Sequence, residues 1–264
     1  MNNRVFKLTA IYLILFVLAV PAFAEAKLIQ EDKKAGLELW GTLLGRLWIP
    51  NPGIYVIKHL ELEQVIQKVY DFPSARVTRG DIVLDCGAHI GGFTRVALHA
   101  GAQLVVAVEP EKANITAFRR NFSDELRKGK VILVEKGLWD KVGSLALHLS
   151  NTGDSHSAAI QQNAGKDQAI AVTTIDRLAE ELRLSRIDFI KMDIEGAELN
   201  ALRGSVKVLK RWQPRLAISS YHRKGDPAAI CALVWGARRD YLIGSKQLSK
   251  STRKTGTPKV LFFY

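Results

Sequence analysis

The stretch DCGAHIGG, residues 85–92, joins an apolar run at 82–84 to the sequence FTRVAL at 93–98. Glycine lets a backbone take positive φ values or approach a ligand closely. A strand, a glycine-rich turn and a helix N-terminus together are typical of a cofactor-binding loop. In the dinucleotide pattern G-x-G-x-x-G the second glycine makes room for a pyrophosphate, but here that position holds His89. The spacing of Asp85, Gly87 and Gly91 therefore favours a smaller charged ligand, although a turn without any ligand has the same pattern.

The chain around this stretch alternates between apolar runs and amphipathic segments. Runs rich in Val, Ile and Leu with helices between them are typical of a parallel sheet covered on both faces, so we predict an α/β domain. Two further apolar runs, at 144–149 and 170–173, flank a polar excursion that contains His156. The other predicted strands are 82–86, 103–109, 130–135, 187–192, 215–220, 240–243 and 259–263, and the predicted helices are 92–100, 111–127, 175–184, 197–210 and 227–237.

Three acidic residues, Asp85, Glu109 and Asp193, lie at the ends of predicted strands. Open parallel sheets bind ligands outside the carboxyl ends of their strands, so these acids should meet at one edge. Glu109, which ends the second strand, is placed to accept hydrogen bonds from both hydroxyls of a ribose. A ribose-binding acid beside a loop unsuited to pyrophosphate predicts an adenosine ligand such as S-adenosylmethionine. Each acid taken alone also fits a helix cap or a solvated side chain.

The order of several segments resembles the FkbM family of S-adenosylmethionine-dependent methyltransferases over about residues 75–264. The resemblance implies a class I methyltransferase fold, Rossmann-like, with a mostly parallel seven-stranded sheet, an antiparallel last strand and helices on both faces. It also implies methylation of a hydroxyl oxygen on a sugar or other small molecule. The segments that carry it are VLDCGAHIGGFT, VVAVEPEKANITAFRRNF, EKGLWDKVGSLALHL, TTIDRLAEEL, IDFIKMDIEGAELNALRG and PRLAISSYH.

The same resemblance assigns residues to the cofactor. It implies that the loop around Gly87 contacts S-adenosylmethionine, that Glu109 binds its ribose, and that residues 137–140 border its adenine. His89 stands where the family pattern leads us to expect asparagine, which leaves the role of this residue open. The cofactor-binding residues expected on this basis are Asp85, Gly87, Ala88, Gly91, Glu109, Leu138 and Asp140.

Methyl transfer to a hydroxyl requires alignment of donor and acceptor, and a base helps to remove the proton. The sequence DIEGAE places Asp193, Glu195 and Glu198 where a strand ends and a helix begins, so that they can converge on one pocket. They are candidates for the base and for contacts to the acceptor hydroxyl, and Asp193 and Glu195 are candidates for holding a hard divalent cation. His222, at the end of the next strand, is a further candidate base. Alternatively, Glu195 and Glu198 only stabilise a helix N-terminus through its dipole.

The sequence divides into three parts. Residues 1–24 have a charged start, an apolar middle and the small-x-small pattern of Ala22 to Ala24, which predicts a signal peptide or an uncleaved membrane anchor. Residues 25–74 are predicted to form a helical extension, because Trp40, Leu43, Leu44, Leu47 and Trp48 have helical spacing. Residues 75–264 form the methyltransferase-like domain. The chain is therefore expected to be exported or attached to a membrane, and a domain that faces the cytoplasm is one arrangement.

The chain has a formal net charge of +12, and the part after position 220 contains nine Lys and Arg residues but only two Asp residues and no Glu. Such a surface can attract anionic lipid, nucleic acid or an acidic substrate. No nucleic-acid recognition motif accompanies the charge, so a small acceptor or a membrane surface is the expected partner. Two other functions remain open at this point. An exported protein of this fold could be a binding module without catalysis, and the charge alone would also permit methylation of RNA.

Overall fold

The N-terminal extension forms an antiparallel three-stranded sheet, ordered β1-β2-β3. The prediction that residues 25–74 are helical is wrong for this part. Leu47 and Ile49 are buried with the two-residue period of a strand, and Gly36 and Gly45, at φ +64° and +89°, make turns that a helix cannot contain. The strands are β1 (Lys27–Asp32), β2 (Leu37–Thr42) and β3 (Gly45–Pro50).

A helical segment then connects the extension to the domain. Helix α1 (Gly53–Leu60) continues as a π-helical segment, Glu61–Ile66, so this part of the predicted helical extension is helical. Ile57 and Leu60 of α1 pack with Ile90 of the glycine-rich loop in one apolar cluster. The extension is thereby fixed against the loop that the sequence assigns to the cofactor.

The computed structural model describes residues 26–149, 158–161, 168–247 and 259–264. The predicted signal peptide or anchor at residues 1–24 and His156 lie outside these ranges. None of the helices within them is long and apolar enough to span a bilayer. The remaining strands are β4 (Ile82–Cys86), β5 (Leu104–Val108), β6 (Val131–Val134), β7 (Gly137–Leu138), β8 (Gly143–Leu149), β9 (Ala158–Gln161), β10 (Gln168–Thr173), β11 (Phe189–Met192), β12 (Arg215–Ser219), β13 (Ile243–Lys246) and β14 (Val260–Phe263).

Seven of these strands form the central sheet, in the order β13-β14-β12-β11-β4-β5-β6. The registers of β4, β5, β6, β11 and β12 are parallel, and β14 runs antiparallel to β12 and β13. This is the mostly parallel seven-stranded sheet with an antiparallel last strand that the family resemblance implies. Residues 158–161 of the polar excursion form β9, which belongs to a second sheet in the order β7-β10-β8-β9.

Helices cover both faces of the central sheet. Within β4, Leu84 and Cys86 belong to one buried cluster and Val83 to another, as expected for alternating side chains on a strand covered twice. Two of the predicted helices are each interrupted. The helix predicted over 111–127 breaks at Phe122, which is fully buried, and the one predicted over 197–210 breaks between residues 203 and 206. The helices are α2 (Gly92–His99), α3 (Lys112–Asn121), α4 (Ser123–Arg127), α5 (Ile175–Glu181), α6 (Glu198–Arg203), α7 (Val206–Trp212) and α8 (Asp226–Ala237).

Candidate active site

A cavity of about 400 Å³ lies at the carboxyl ends of β4, β5 and β11. One part of its wall comes from these strand ends and the loops that follow, and another comes from α1 and the π-helical segment. We call it the reaction cavity. Its polar and loop residues include His59, Glu63, Gln64, Gly87, Ala88, His89, Glu109, Asn114, Lys136, Lys191, Asp193, Glu195, Tyr221 and Lys259, and Leu138 adds an apolar contact.

Close packing determines the conformation of the glycine-rich loop. Gly87 and Gly91 have φ values of +76° and +96°. A Cβ at Gly87 would overlap the backbone oxygen of Asp193, and one at Gly91 would overlap the ring of Phe122. The amides of Gly87 and Ala88 both donate to the Val108 carbonyl oxygen at 3.0 Å. Gly87 and Ala88 line the reaction cavity, whereas Gly91 supports the loop from behind.

Glu109 is 5% exposed and lies in the reaction cavity. Its Oε2 accepts from the backbone amide of His89 at 2.8 Å, and its Oε1 accepts from the amide of Glu111 at 3.0 Å. Burial raises the pKa of Glu109 to about 7, although these hydrogen bonds favour the ionised form. Beside it, Asn114 Oδ1 is buried without a hydrogen-bond partner among the described residues. The pair fits a ligand that brings hydroxyl donors, as a ribose does.

Asp85 is fully buried and its carboxylate does not line the cavity. Oδ2 accepts from Thr94 Oγ1 at 2.7 Å, and Oδ1 lies 3.2 Å from Lys191 Nζ. The ammonium of Lys191 also donates to the carbonyl oxygens of Gly87, at 2.7 Å, and Cys86, at 3.2 Å. Asp85 therefore acts on the loop through Lys191. The sequence reasoning missed Lys191, although a lysine within the buried run FIKM is a signal for a paired charge.

Asp193 lies at the centre of the polar cluster at the end of β11. Its Oδ2 accepts from the hydroxyl of Tyr70 at 2.7 Å, and its Oδ1 lies 3.5 Å from His222 Nε2. Burial favours the neutral acid, but the charges of Lys191 and His222 and the hydrogen bond from Tyr70 outweigh it and hold the pKa of Asp193 below its usual range. Asp193 is thus kept as a carboxylate inside the cavity.

The two glutamates of DIEGAE have different environments. Glu195 is 40% exposed in its side chain, lines the cavity, and places Oε2 3.5 Å from His222 Nε2. Burial, followed by the charge of Asp193, raises its pKa. Glu198 is fully buried behind His222, where Oε1 lies 3.0 Å from Nδ1 and also accepts from the amide of Ile194 at 2.9 Å.

His222 bridges this acidic group. Burial opposes a charge on the ring, but Glu198, Asp193 and Glu195 together raise the pKa of His222 to about 9, so the ring is protonated near neutral pH. Ligand atoms of Asp193, Glu198 and His222 lie within 4.8 Å of one another. The predicted cation pair was Asp193 and Glu195, whereas the structure groups Asp193 with Glu198 and the imidazole.

Leu138 and Asp140 were both predicted to border the adenine. Leu138 is buried and lines the reaction cavity. Asp140 is exposed and is not among the lining residues.

The extension contributes residues that the sequence reasoning did not assign to a site. Glu63, from the π-helical segment, is 8% exposed and forms ion pairs with Lys259 and with His59, the latter at 3.1 Å. Lys259 also lies 5.1 Å from the ring centroid of Tyr221. Tyr70 precedes the region of family resemblance, and no local pattern links it to Asp193. His59, Glu63, Tyr221 and Lys259 line the reaction cavity, whereas Tyr70 lies outside its lining and contacts Asp193 through its hydroxyl.

Comparison with known proteins gives concordant matches. A family model described as the methyltransferase FkbM domain matches residues 85–243. Methyltransferase 1 of Beauveria bassiana (strain ARSEF 2860) is 27% identical over 170 residues, which are 56% of this chain and 67% of that protein. The crystal structure of methyltransferase FkbM from Methylobacillus flagellatus KT is 26% identical with a TM-score of 0.54, and the match covers 72% of this chain but only 44% of that one. Because the family model spans more than half of the sequence, the chain belongs to the FkbM methyltransferase family.

Proposed function

We propose that the protein transfers a methyl group from S-adenosylmethionine to a hydroxyl oxygen of a sugar or another small molecule. Family membership supports methyl transfer, and the contents of the cavity support this donor and acceptor. One observation carries the proposal: Glu109 and the carboxylates of Asp193 and Glu195 line the same cavity of about 400 Å³. One cavity thus offers a carboxylate that can accept hydrogen bonds from ribose hydroxyls and carboxylates that can accept the proton of an alcohol. The methyl donor and the acceptor can therefore bind side by side.

The residues present fit the cofactor. Glu109 and the unpartnered Asn114 Oδ1 offer acceptors to a ribose, and Gly87 and Ala88 leave the loop open beside Asp193. Leu138 supplies an apolar contact of the kind that an adenine ring requires. When bound, S-adenosylmethionine supplies a methyl group on a positively charged sulfur.

We infer that a carboxylate accepts the proton of the acceptor hydroxyl. His222, with a pKa of about 9, already carries its proton near neutral pH and is a poor base in the free protein. Asp193 is held ionised, and Glu195 is the more exposed of the two and has a raised pKa. A base is most effective when its pKa is close to the working pH. We therefore assign proton acceptance to Glu195 and hydrogen bonding of the acceptor hydroxyl to Asp193.

Calorimetric titration of the full chain with S-adenosylmethionine and with its demethylated product tests the cofactor assignment. We expect saturable binding, and we expect Glu109→Gln to weaken it by roughly 12- to 150-fold, since a hydrogen bond to a charged group contributes about 1.5–3 kcal/mol. Asp140→Asn is the matched control, because it removes an exposed acid that does not line the cavity. Equal affinities of the two variants would refute the ribose assignment of Glu109.

A further inference from the structure

A second cavity, also of about 400 Å³, lies between the extension and helix α2. Gln64 and Phe93 line both this cavity and the reaction cavity. Tyr70 lines the second cavity, while its hydroxyl donates to Asp193 in the reaction site. The two cavities therefore share a wall, and one residue of that wall contacts the candidate catalytic carboxylate. Nothing in the proposed methyl transfer requires this second cavity.

The interior of the second cavity is apolar. Leu44, Tyr70 and Phe93 are buried at its base, with 6%, 4% and 5% of their surface exposed. Val65 and Val96 are half-buried and form part of its walls. Predominantly apolar cavities with few polar groups bind hydrocarbon parts of ligands, so the interior is suited to an alkyl chain.

Positive charge predominates at the rim of the second cavity. Lys68 and Arg76 are exposed there, together with His99, and among the described lining residues Asp71 supplies the one carboxylate. A carboxylate or phosphate at the rim would meet two permanent cations, and arginine offers a fork of donors that matches such groups. The rim therefore complements an anionic head group.

Exposed apolar side chains lie in the segments that line the second cavity. Leu43 lines the cavity and is 39% exposed. Leu62 and Ile66, which are 42% and 47% exposed, lie on the π-helical segment that also contributes Gln64 and Val65 to the cavity. Exposed apolar side chains beside a cavity are typical of a binding site for an apolar ligand.

We propose that the second cavity binds the alkyl chain of an anionic amphiphile, with the head group at Lys68 and Arg76. The ligand class is a single hydrocarbon chain that ends in a carboxylate or a phosphate. The bound chain would contact the ring of Tyr70, so that the ligand lies one residue away from Asp193. This binding is independent of methyl transfer and can be measured whether or not the cofactor assignment holds.

The test is calorimetric titration of the full chain with laurate below its micellar concentration, with the uncharged dodecyl maltoside as a comparison. Val96→Trp fills the cavity with a larger side chain. Val142→Trp is the matched control, because Val142 is 64% exposed and lines neither cavity. We expect one saturable laurate site that Val96→Trp weakens at least tenfold and Val142→Trp leaves unchanged, with weaker binding of the maltoside.

Residues 1–24 are apolar enough to bind laurate themselves, so the assignment depends on the difference between variants. Equal laurate affinity in Val96→Trp and Val142→Trp would overturn the proposal. If Val96→Trp fails to fold, the double variant Lys68→Glu, Arg76→Glu replaces it, since both side chains are exposed. We expect this reversal of charge to weaken laurate at least fivefold while leaving dodecyl maltoside unaffected, and equal effects on both ligands would reject the head-group site.

Discussion

Replacing Lys191 with methionine tests whether a buried ion pair supports the cofactor loop. Lys191 is 4% exposed, and its ammonium lies 3.2 Å from the fully buried carboxylate of Asp85. Burial opposes its charge, but Asp85 and Asp193 together raise the pKa of Lys191, so the ammonium is retained. The ammonium also donates hydrogen bonds to the carbonyl oxygens of Cys86 and Gly87. Lys191→Met keeps most of the side-chain volume and removes only the charge and the donors.

The expected cost is about 3–5 kcal/mol in the free energy of unfolding, the range for leaving one partner of a buried pair without its counter-charge. Of the two side-chain partners that Asp85 has among the described residues, Thr94, which donates at 2.7 Å, would remain. Urea denaturation followed by circular dichroism measures the loss, which should appear as a lower midpoint with an unchanged slope. The double variant Asp85→Asn, Lys191→Met removes the stranded charge and should recover at least half of it.

Two results would refute this reasoning. A loss below about 1 kcal/mol in Lys191→Met would place the pair in the range of exposed ion pairs. A double variant no more stable than Lys191→Met would show that the stranded Asp85 charge does not cause the loss. Conservative replacement by arginine is no substitute, because the larger guanidinium would overpack the buried site.

Three further predictions concern the titratable groups of the cavity. The folded pKa of His222, about 9, lies above the unfolded value of 6.5, so the stabilisation by its charge is complete below pH 6.5 and is lost as the pH rises through 9. Urea denaturation should therefore show that the free energy of unfolding falls by about 3 kcal/mol over that interval. His222→Asn should lack this fall. The pKa of Glu109 is about 7, so binding of a ribose to its ionised form should strengthen from about pH 6 to about pH 8 and release a proton. Calorimetry in buffers of different ionisation enthalpy detects that proton release, and Glu109→Gln should abolish it. Tyr70→Phe removes a hydrogen-bond donor to the ionised Asp193 and should therefore raise the pKa of that carboxyl, as read by NMR of carboxyl-labelled aspartate. An unchanged titration would contradict the role of Tyr70.

The sequence predicts the central sheet because its strands are buried on both faces. Continuous apolar runs such as VVAV at 105–108 leave no other stable arrangement for so much apolar surface. The helix predicted for the extension is wrong because the spacing of five apolar residues fits a helix while the glycines of the extension form the turns between strands. Gly36 and Gly45 take positive φ values there, so local turn geometry overrides the apolar spacing.

Sequence reasoning on the site succeeded where position along a strand determines function and was incomplete where distant elements meet. Glu109 and Asp193 follow from counting to the ends of β5 and β11. The direction of the Asp85 carboxylate depends on Lys191, more than a hundred residues away, and the Asp193 hydrogen bond comes from Tyr70 across a separation of 123 residues. Pairing at such separations is set by the packed fold, and no local periodicity encodes it.

The distribution of charge at the end of β11 explains why these acids can serve one reaction. Three carboxylates lie within six residues here, with Asp85 behind the loop, and negative charges placed so close together repel one another unless cations are near. The ammonium of Lys191 and the protonated ring of His222 offset this negative charge, and together they keep Asp193 ionised. Glu195 receives less of this compensation, since Lys191 acts on it only weakly and Asp193 repels its charge. The two carboxylates that face the cavity thus differ in basicity, with Asp193 suited to accept a hydrogen bond and Glu195 suited to accept a proton.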